Sequence, residues 1–507
     1  MKTKKSQKLK ANILFSLLLQ IAVFVSGIIL PRLYIGTYGS KVNGLISSIQ
    51  QFLGFISLGE MGIGAVIQFN LYKPLASKDW ANVSNIISAA DRFFNKLLKA
   101  IIVYITILAL LLPFKTLDEF EYLYTASLVI AISFSYIMQY YFGMTYRQLL
   151  DADQLSYVRI IPQIIQILIN VIVCSLMIRA KVDVRFVKFT TSVLYSIQPI
   201  FMFVYAKIHY PFVTKKKEIV GEPIKQKWNG LTQHLATVVL KDTDVVVLTL
   251  FSTLENVSIY AVYNLVINGI EVMIESVLNN FTAVFGELIA REKYDELNAK
   301  FNMFETLYHT ALTIIFFCIG RLIVPFVSVY TKGITDANYS MPVFAIVLTL
   351  AQGLYCARLP YHILIKAAGH YKQTQMSAII EALINISVSI ASVRYFGLVG
   401  VAFGTAMAML YRSIYYWIYL SRFILQRSLS KTIRRYGTDM GVMVICYCAT
   451  KMFTLKKQTY ISWFILGIIV FSITTVISSV VLFFTDKRVS VYIKKRLSHC
   501  IGGRLRK

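Results

Sequence analysis

The sequence predicts an all-α polytopic membrane protein with about 14 transmembrane helices, and three observations carry that prediction. Of its 507 residues, 57% are hydrophobic and 15% charged, and the mean hydropathy is +0.62. Soluble domains average roughly 25% charged residues. Long apolar runs, such as Ile101 to Phe114 and Ile461 to Phe484, recur between short charged breaks. Since a spanning helix takes roughly 20 apolar residues, 14 spans would absorb nearly all the hydrophobic residues in the chain. A net charge of +27 would suggest nucleic-acid binding in a soluble protein. This composition instead excludes a soluble enzyme, a DNA-binding protein and a single-anchor receptor, so no nucleic-acid partner is expected.

Hydropathy places the spans at 12–33, 43–70, 94–114, 122–143, 157–178, 187–207, 230–252, 257–286, 304–327, 340–364, 375–395, 398–421, 437–453 and 461–485. The first apolar run follows five lysines in ten residues and lacks a small-residue cleavage site, so it reads as a helix that stays. The positive-inside rule sets the orientation. With both termini cytoplasmic, inner segments hold 36 Lys and Arg, outer loops hold 12, and Lys241, Arg321, Arg358 and Arg412 lie inside spans. One outer loop is discordant, with Arg179, Lys181, Arg185 and Lys188. Lysines, proline and glycine after six spans mark a linker. The expected domains are a six-helix lobe at 1–208, a cytoplasmic linker at 209–228, a second six-helix lobe at 229–426, an additional helix pair at 437–485, and a basic tail at 486–507.

The two lobes repeat. Ile164-Ile165-x-x-Leu168-Ile169-Asn170 matches Ile379-Ile380-x-x-Leu383-Ile384-Asn385 at an offset of 215, and the same offset pairs Gly54 with Gly269 and Glu60 with Glu275. Six spans per copy is an even number, so the copies run parallel across the membrane. The last two spans have no counterpart.

Charged groups at bilayer depth face a partner or a cavity. In the eighth span, Asn264, Asn268, Glu271, Glu275, Asn279, Thr282 and Gly286 make one helical stripe, which lines either water or a hydrogen-bonded seam between helices. In the second span, Gly59, Gly62 and Gly64 beside Glu60 predict a bend. Lys241 and Asp244 are three residues apart and either neutralise each other or present charge to a cavity. Arg358 and Arg412 either bind an anion or extend toward the inner surface, while Arg321 extends outward. The six cysteines fall mostly in apolar runs, and neither they nor the six histidines have metal-ligand spacing. No phosphate-binding glycine loop is present. No catalytic residue, metal or cofactor is therefore expected.

Leu30-Pro31-Arg32, Gly36, Tyr38-Gly39, Gly44-Leu45 and Leu58-Gly59-Glu60-Met61-Gly62-Ile63-Gly64 resemble the opening helices of Wzx-type polysaccharide flippases. These belong to the multidrug/oligosaccharidyl-lipid/polysaccharide exporter superfamily. Lys73-Pro74-Leu75-Ala76, Asp244-Val245-Val246-Val247 and Tyr260 also look like that family, although Glu60 stands where an aspartate is usual. The resemblance implies two V-shaped lobes around a central cavity, alternating access, and transfer of undecaprenyl-pyrophosphate-linked oligosaccharide to the outer leaflet of a bacterial cell membrane. It implies that Lys241, Arg358, Arg412 and Arg32 meet the pyrophosphate head group. Proton or sodium coupling would fall to Glu60, Glu271, Glu275 and Asp244, with Asn264, Asn268 and Asn279 lining the cavity. The implied partners are the lipid-linked oligosaccharide, membrane lipids and polysaccharide polymerase machinery, and the product would be O-antigen, capsule or exopolysaccharide. A multidrug/cation antiporter of the related branch is the alternative. A membrane polymerase or ligase fits less well, because the outer loops reach only about ten residues.

Overall fold

The computed structural model describes residues 2–60, 62–214, 243–279 and 281–485, and every regular element among them is helical. Eleven helices are long and apolar enough to cross a membrane, and a bent pair makes a possible twelfth. That is fewer than the 14 spans expected. The seventh span lies mostly outside the described residues, as do the linker after 214 and the tail at 486–507. The thirteenth forms a helix, Ser430–Thr450, but one that carries Lys431, Arg434, Arg435 and Asp439 and is not among the apolar spans.

The described residues pack into two units. The first comprises Met1–Ala261 with Ile334–Ala337, the second Val262–Gly333 with Asn338–Lys507. Large apolar side chains such as Leu17, Ile21, Leu111 and Leu176 are exposed, as a lipid-facing surface requires.

The first unit opens with α1 (Lys2–Tyr38), after which Gly39, at φ +90°, turns the chain into α2 (Ser40–Gly54). Asp336 takes the hydrogen bonds of the Ser40 backbone N–H (2.6 Å) and hydroxyl (2.8 Å), capping that helix start from a distant loop. The α2 helix tightens into a 3-10 turn at Phe55–Glu60, and the chain bends by 42° into α3 (Ile63–Ser77). The glycine-rich stretch thus bends as its composition predicts, with Gly62 at φ +70°. There follow α4 (Trp80–Thr116), α5 (Tyr122–Met138), a π turn at Gln139–Gly143, and α6 (Met144–Ala152). The copy closes with α7 (Ser156–Arg179), α8 (Val184–Tyr195) and α9 (Ile197–His209). Its core is a continuous cluster including Leu45, Ile49, Leu53, Ile67, Phe94 and Leu149.

After α10 (243–251) come α11 (Leu254–Asn279), α12 (Phe281–Ala290), α13 (Tyr294–Tyr330), α14 (Pro342–Ala367), α15 (Tyr371–Phe396) and α16 (Leu398–Phe423). Shifted by 215 residues, α13 falls one residue from α4 at both ends, the start of α15 coincides with that of α7, and α16 overlays α8 and α9 taken together. The repeat is therefore carried in helix lengths as well as in residue matches. Copy one differs in three places. It has the 3-10 turn at Phe55–Glu60 where α11 is continuous, the π turn where α14 is continuous, and a break at Ser196 where α16 is continuous. Pro199, just inside α9, lacks the N–H that would have bonded back across that break.

The final pair, α17 (Ser430–Thr450) and α18 (Tyr460–Thr485), is held to α13 by polar contacts. His309 bonds to Asp439 (2.8 Å), and Trp463 donates to the Leu322 carbonyl (3.1 Å). Arg321 donates to the Thr450 and Phe453 carbonyls, satisfying the end of α17.

Gly44 marks the closest backbone approach in the first unit. A Cβ there would sit 1.9 Å from the Leu254 carbonyl oxygen. Relief requires moving α2 from α11's start, so Gly44→Ala should cost at least about 3 kcal/mol. Gly441, which has nothing within 4 Å of its added Cβ, should accept alanine without loss. Thermal melting of the two detergent-purified variants checks the contrast.

Candidate functional site

Polar groups inside each unit are organised around its glutamates. In copy one the buried Tyr140 donates to Glu60 (2.7 Å); in copy two Tyr355 donates to Glu275. Both pairs are 80 residues apart, and both members shift by 215, so one glutamate–tyrosine bond is built twice on the same frame. The repeat seen in the sequence found the glutamates. It missed the tyrosines, whose partnership depends on packing between helices and leaves no local spacing.

In the second unit Tyr355 begins a longer network. Its ring lies under the Arg358 guanidinium (4.8 Å), and Arg358 is bonded to one oxygen of Glu381. Arg412 donates to the other Glu381 oxygen (3.1 Å) and to Tyr416 (2.7 Å). Arg358, Glu381 and Arg412 are all about 5% exposed. The two arginines expected to meet an anionic head group thus already share one carboxylate, leaving the trio a single net positive charge.

The other expected site residues are spread more widely. Asp244 is buried in the first unit and accepts from Tyr260 (2.9 Å), joining two residues of the family-like stretch. Arg32 lies half-buried in α1. Lys241 and the side chain of Asn279 fall outside the described residues. Along the α11 stripe, Glu271 is buried, Asn264 and Glu275 are half-buried, and Asn268 is exposed.

Sequence reasoning missed the polar interior of the first unit. A cavity of about 430 Å³ is lined there by residues of α1, α2 and α5 to α9, among them Arg147, Arg159 and Lys188. Lys188 had been counted with the outer loop, but α8 begins at Val184 and leaves Lys188 7% exposed, with its ammonium over the Tyr34 ring (4.1 Å). Within that loop Arg185 pairs with Asp183, holding its carboxyl below the usual carboxylate range. The sequence signal available was the discordance of that loop itself.

Fold and site together define a multi-pass, all-helical membrane protein with two repeated copies and charge buried inside each of them. The structure matches the lipid II flippase MurJ in an inward closed conformation, with a TM-score of 0.70 and 14% identity, over 93% of this chain and 99% of that one. It also matches an inward-facing multidrug-resistance MATE family transporter of the MOP superfamily, at 0.61 and 12%, over 81% of this chain and 96% of that one. A MATE in complex with MaL6 matches at 0.55 and 13%, over 83% and 97%. The chain thus shares its fold with these proteins, which are transporters and flippases. No family model and no curated sequence matches the chain.

Because Glu381 alone neutralises two buried arginines, Glu381→Gln should cost about 3–5 kcal/mol. Replacing all three by Arg358→Met, Glu381→Leu and Arg412→Met should cost far less. Detergent melting curves of the two variants separate these outcomes.

Proposed function

We propose that the protein is a flippase that carries undecaprenyl-pyrophosphate-linked oligosaccharide from the cytoplasmic to the outer leaflet of a bacterial cell membrane, by alternating access, for cell-surface polysaccharide synthesis. The observation that supports this reading over the antiporter is how much of the chain each neighbour covers. The lipid II flippase covers 93% of it and the MATE transporter 81%, a difference about the size of the α17–α18 pair, which spans 430–485. The buried cations agree in sign with a pyrophosphate head group. In this reading Arg32, Lys241 and the net positive charge of the Arg358–Glu381–Arg412 trio attract the head group. Asn264, Asn268 and Asn279 supply polar lining. Glu60, Glu271, Glu275 and Asp244 are the acids that exchange a proton or sodium ion. Polysaccharide polymerase machinery would use the product.

Depletion should leave lipid-linked repeat units intact but confined to the inner leaflet, read by mass spectrometry of extracted lipids with a leaflet-accessible glycosidase. Loss of drug efflux with no accumulated lipid-linked saccharide would overturn the flippase reading in favour of the antiporter.

If the paired glutamates carry the coupling ion, Glu275→Gln should abolish the dependence of export on the membrane gradient while the protein remains inserted. Tyr355→Phe, which keeps the carboxylate, should slow export roughly tenfold or less, the loss of about one hydrogen bond. Export measured with and without an uncoupler checks both.

A further inference from the structure

The cavity of the first unit holds more positive charge than its surroundings neutralise. Its lining includes Arg147, Arg159 and Lys188 and no carboxylate. Just outside the lining, Asp151 forms ion pairs with both arginines, at 3.8 Å from Arg147 Nε and 3.7 Å from Arg159 Nε, so one carboxylate is shared between two guanidinium groups. That carboxylate already accepts the Ser156 hydroxyl (2.7 Å). The buried Arg159 Nε has no hydrogen-bond partner among the described residues, and Lys188 has no ion-pair partner among them.

The repeat shows what is missing. Gly143 and Gln166 both line this cavity, and at an offset of 215 their counterparts are Arg358 and Glu381, the bonded pair of the second unit. Copy two fills the place with its own cation and its own counter-anion. Copy one has a glycine and a neutral amide there, held open by the π turn, with Gly143 packed so closely on Pro199 that a Cβ would lie 2.8 Å away. A scaffold that sets the single carboxylate of Asp151 against three cations leaves the remaining counter-charge to a ligand.

The rest of the lining indicates what kind. Gln139, Gln163, Gln166 and Gln198, with Thr191 and Tyr195, offer amides and hydroxyls between the lysine and the arginines. We propose that this cavity binds an acidic sugar, a hydroxyl-rich group bearing phosphate or carboxylate. The proposal deepens the flippase reading, on which it rests for substrate class, by giving the saccharide portion of the cargo a site within the first unit.

The test uses the full chain in nanodiscs, titrated calorimetrically with glucose 1-phosphate, glucuronate, glucose and inorganic phosphate. Both acidic sugars should bind saturably, with glucose and inorganic phosphate each about tenfold weaker or more, the loss of one charge-assisted contact or of the hydroxyl contacts. Lys188→Met should weaken acidic-sugar binding by about tenfold. Gln166→Glu installs the carboxylate of the second unit, so it should weaken binding by about tenfold while the melting temperature holds or rises, which separates lost binding from lost folding. Equal binding of glucose and glucose 1-phosphate, no saturable binding of either acidic sugar, or unchanged binding in Gln166→Glu overturns the proposal. If depletion still traps lipid-linked saccharide in that case, the flippase reading stands without this site. If acidic sugars bind but depletion traps nothing, the site stands and the flippase reading falls.

Discussion

A charge held at bilayer depth needs a counter-charge, a hydrogen-bonding shell or water, because the unpaired ion costs several kcal/mol. That constraint organises the polar interior of this protein. In the second unit it is met internally, from Glu275 through Tyr355, Arg358, Glu381 and Arg412 to Tyr416, with hydrogen bonds and guanidinium–ring contacts alternating along the chain. Every charge in that series has a neighbour of complementary character, so the series can be buried almost completely. Arg427 and Glu305 repeat the solution near the end of α16, where Tyr361 also donates to Glu305.

The first unit uses the same helices differently. Its glutamate–tyrosine bond, Glu60 to Tyr140, is conserved between the copies in register and in partner. Beyond that bond the copies diverge, and the divergence is a matter of backbone as much as of side chains. The π turn at Gln139–Gly143 and the break at Ser196 lie beside each other, joined by the Gly143–Pro199 contact. Backbone irregularity of this kind separates helices locally and is often associated with function. The space it leaves is where copy one carries three cations against the single carboxylate of Asp151.

Much of the frame was legible in the sequence. Helix lengths follow apolar run lengths, the repeat offset of 215 reappears in the helix ends, and the glycines of the second span produce the bend they imply. Partnerships were not legible. Glu381 was visible as an in-span acid and Arg358 and Arg412 as in-span cations, but nothing in their spacing joins residues on three different helices. Arg147 and Arg159 read as inner-loop charges, since both lie within two turns of a helix end and a hydropathy profile assigns such positions to water. Lys188 was misplaced for the converse reason: α8 starts three residues before its apolar run does. The charged first turns of α17 lay outside the span expected at 437–453, and the polar ties to α13 keep that helix in place.

The contrast between the copies also constrains where an anion can be held. A self-neutralised network exerts little net field at a distance, because its opposing charges cancel within a few ångströms. A cavity with surplus cations exerts a larger one, and in a low-dielectric surround that field is weakly screened. An anion entering the first unit therefore recovers the desolvation cost already built into Lys188 and Arg159, whereas one approaching the trio in the second unit must compete with Glu381 for the same donors. Two repeats that differ in where their counter-charge comes from make an asymmetric interior from a symmetric plan, and the asymmetry resides in a handful of positions, Gly143 against Arg358 and Gln166 against Glu381 foremost among them.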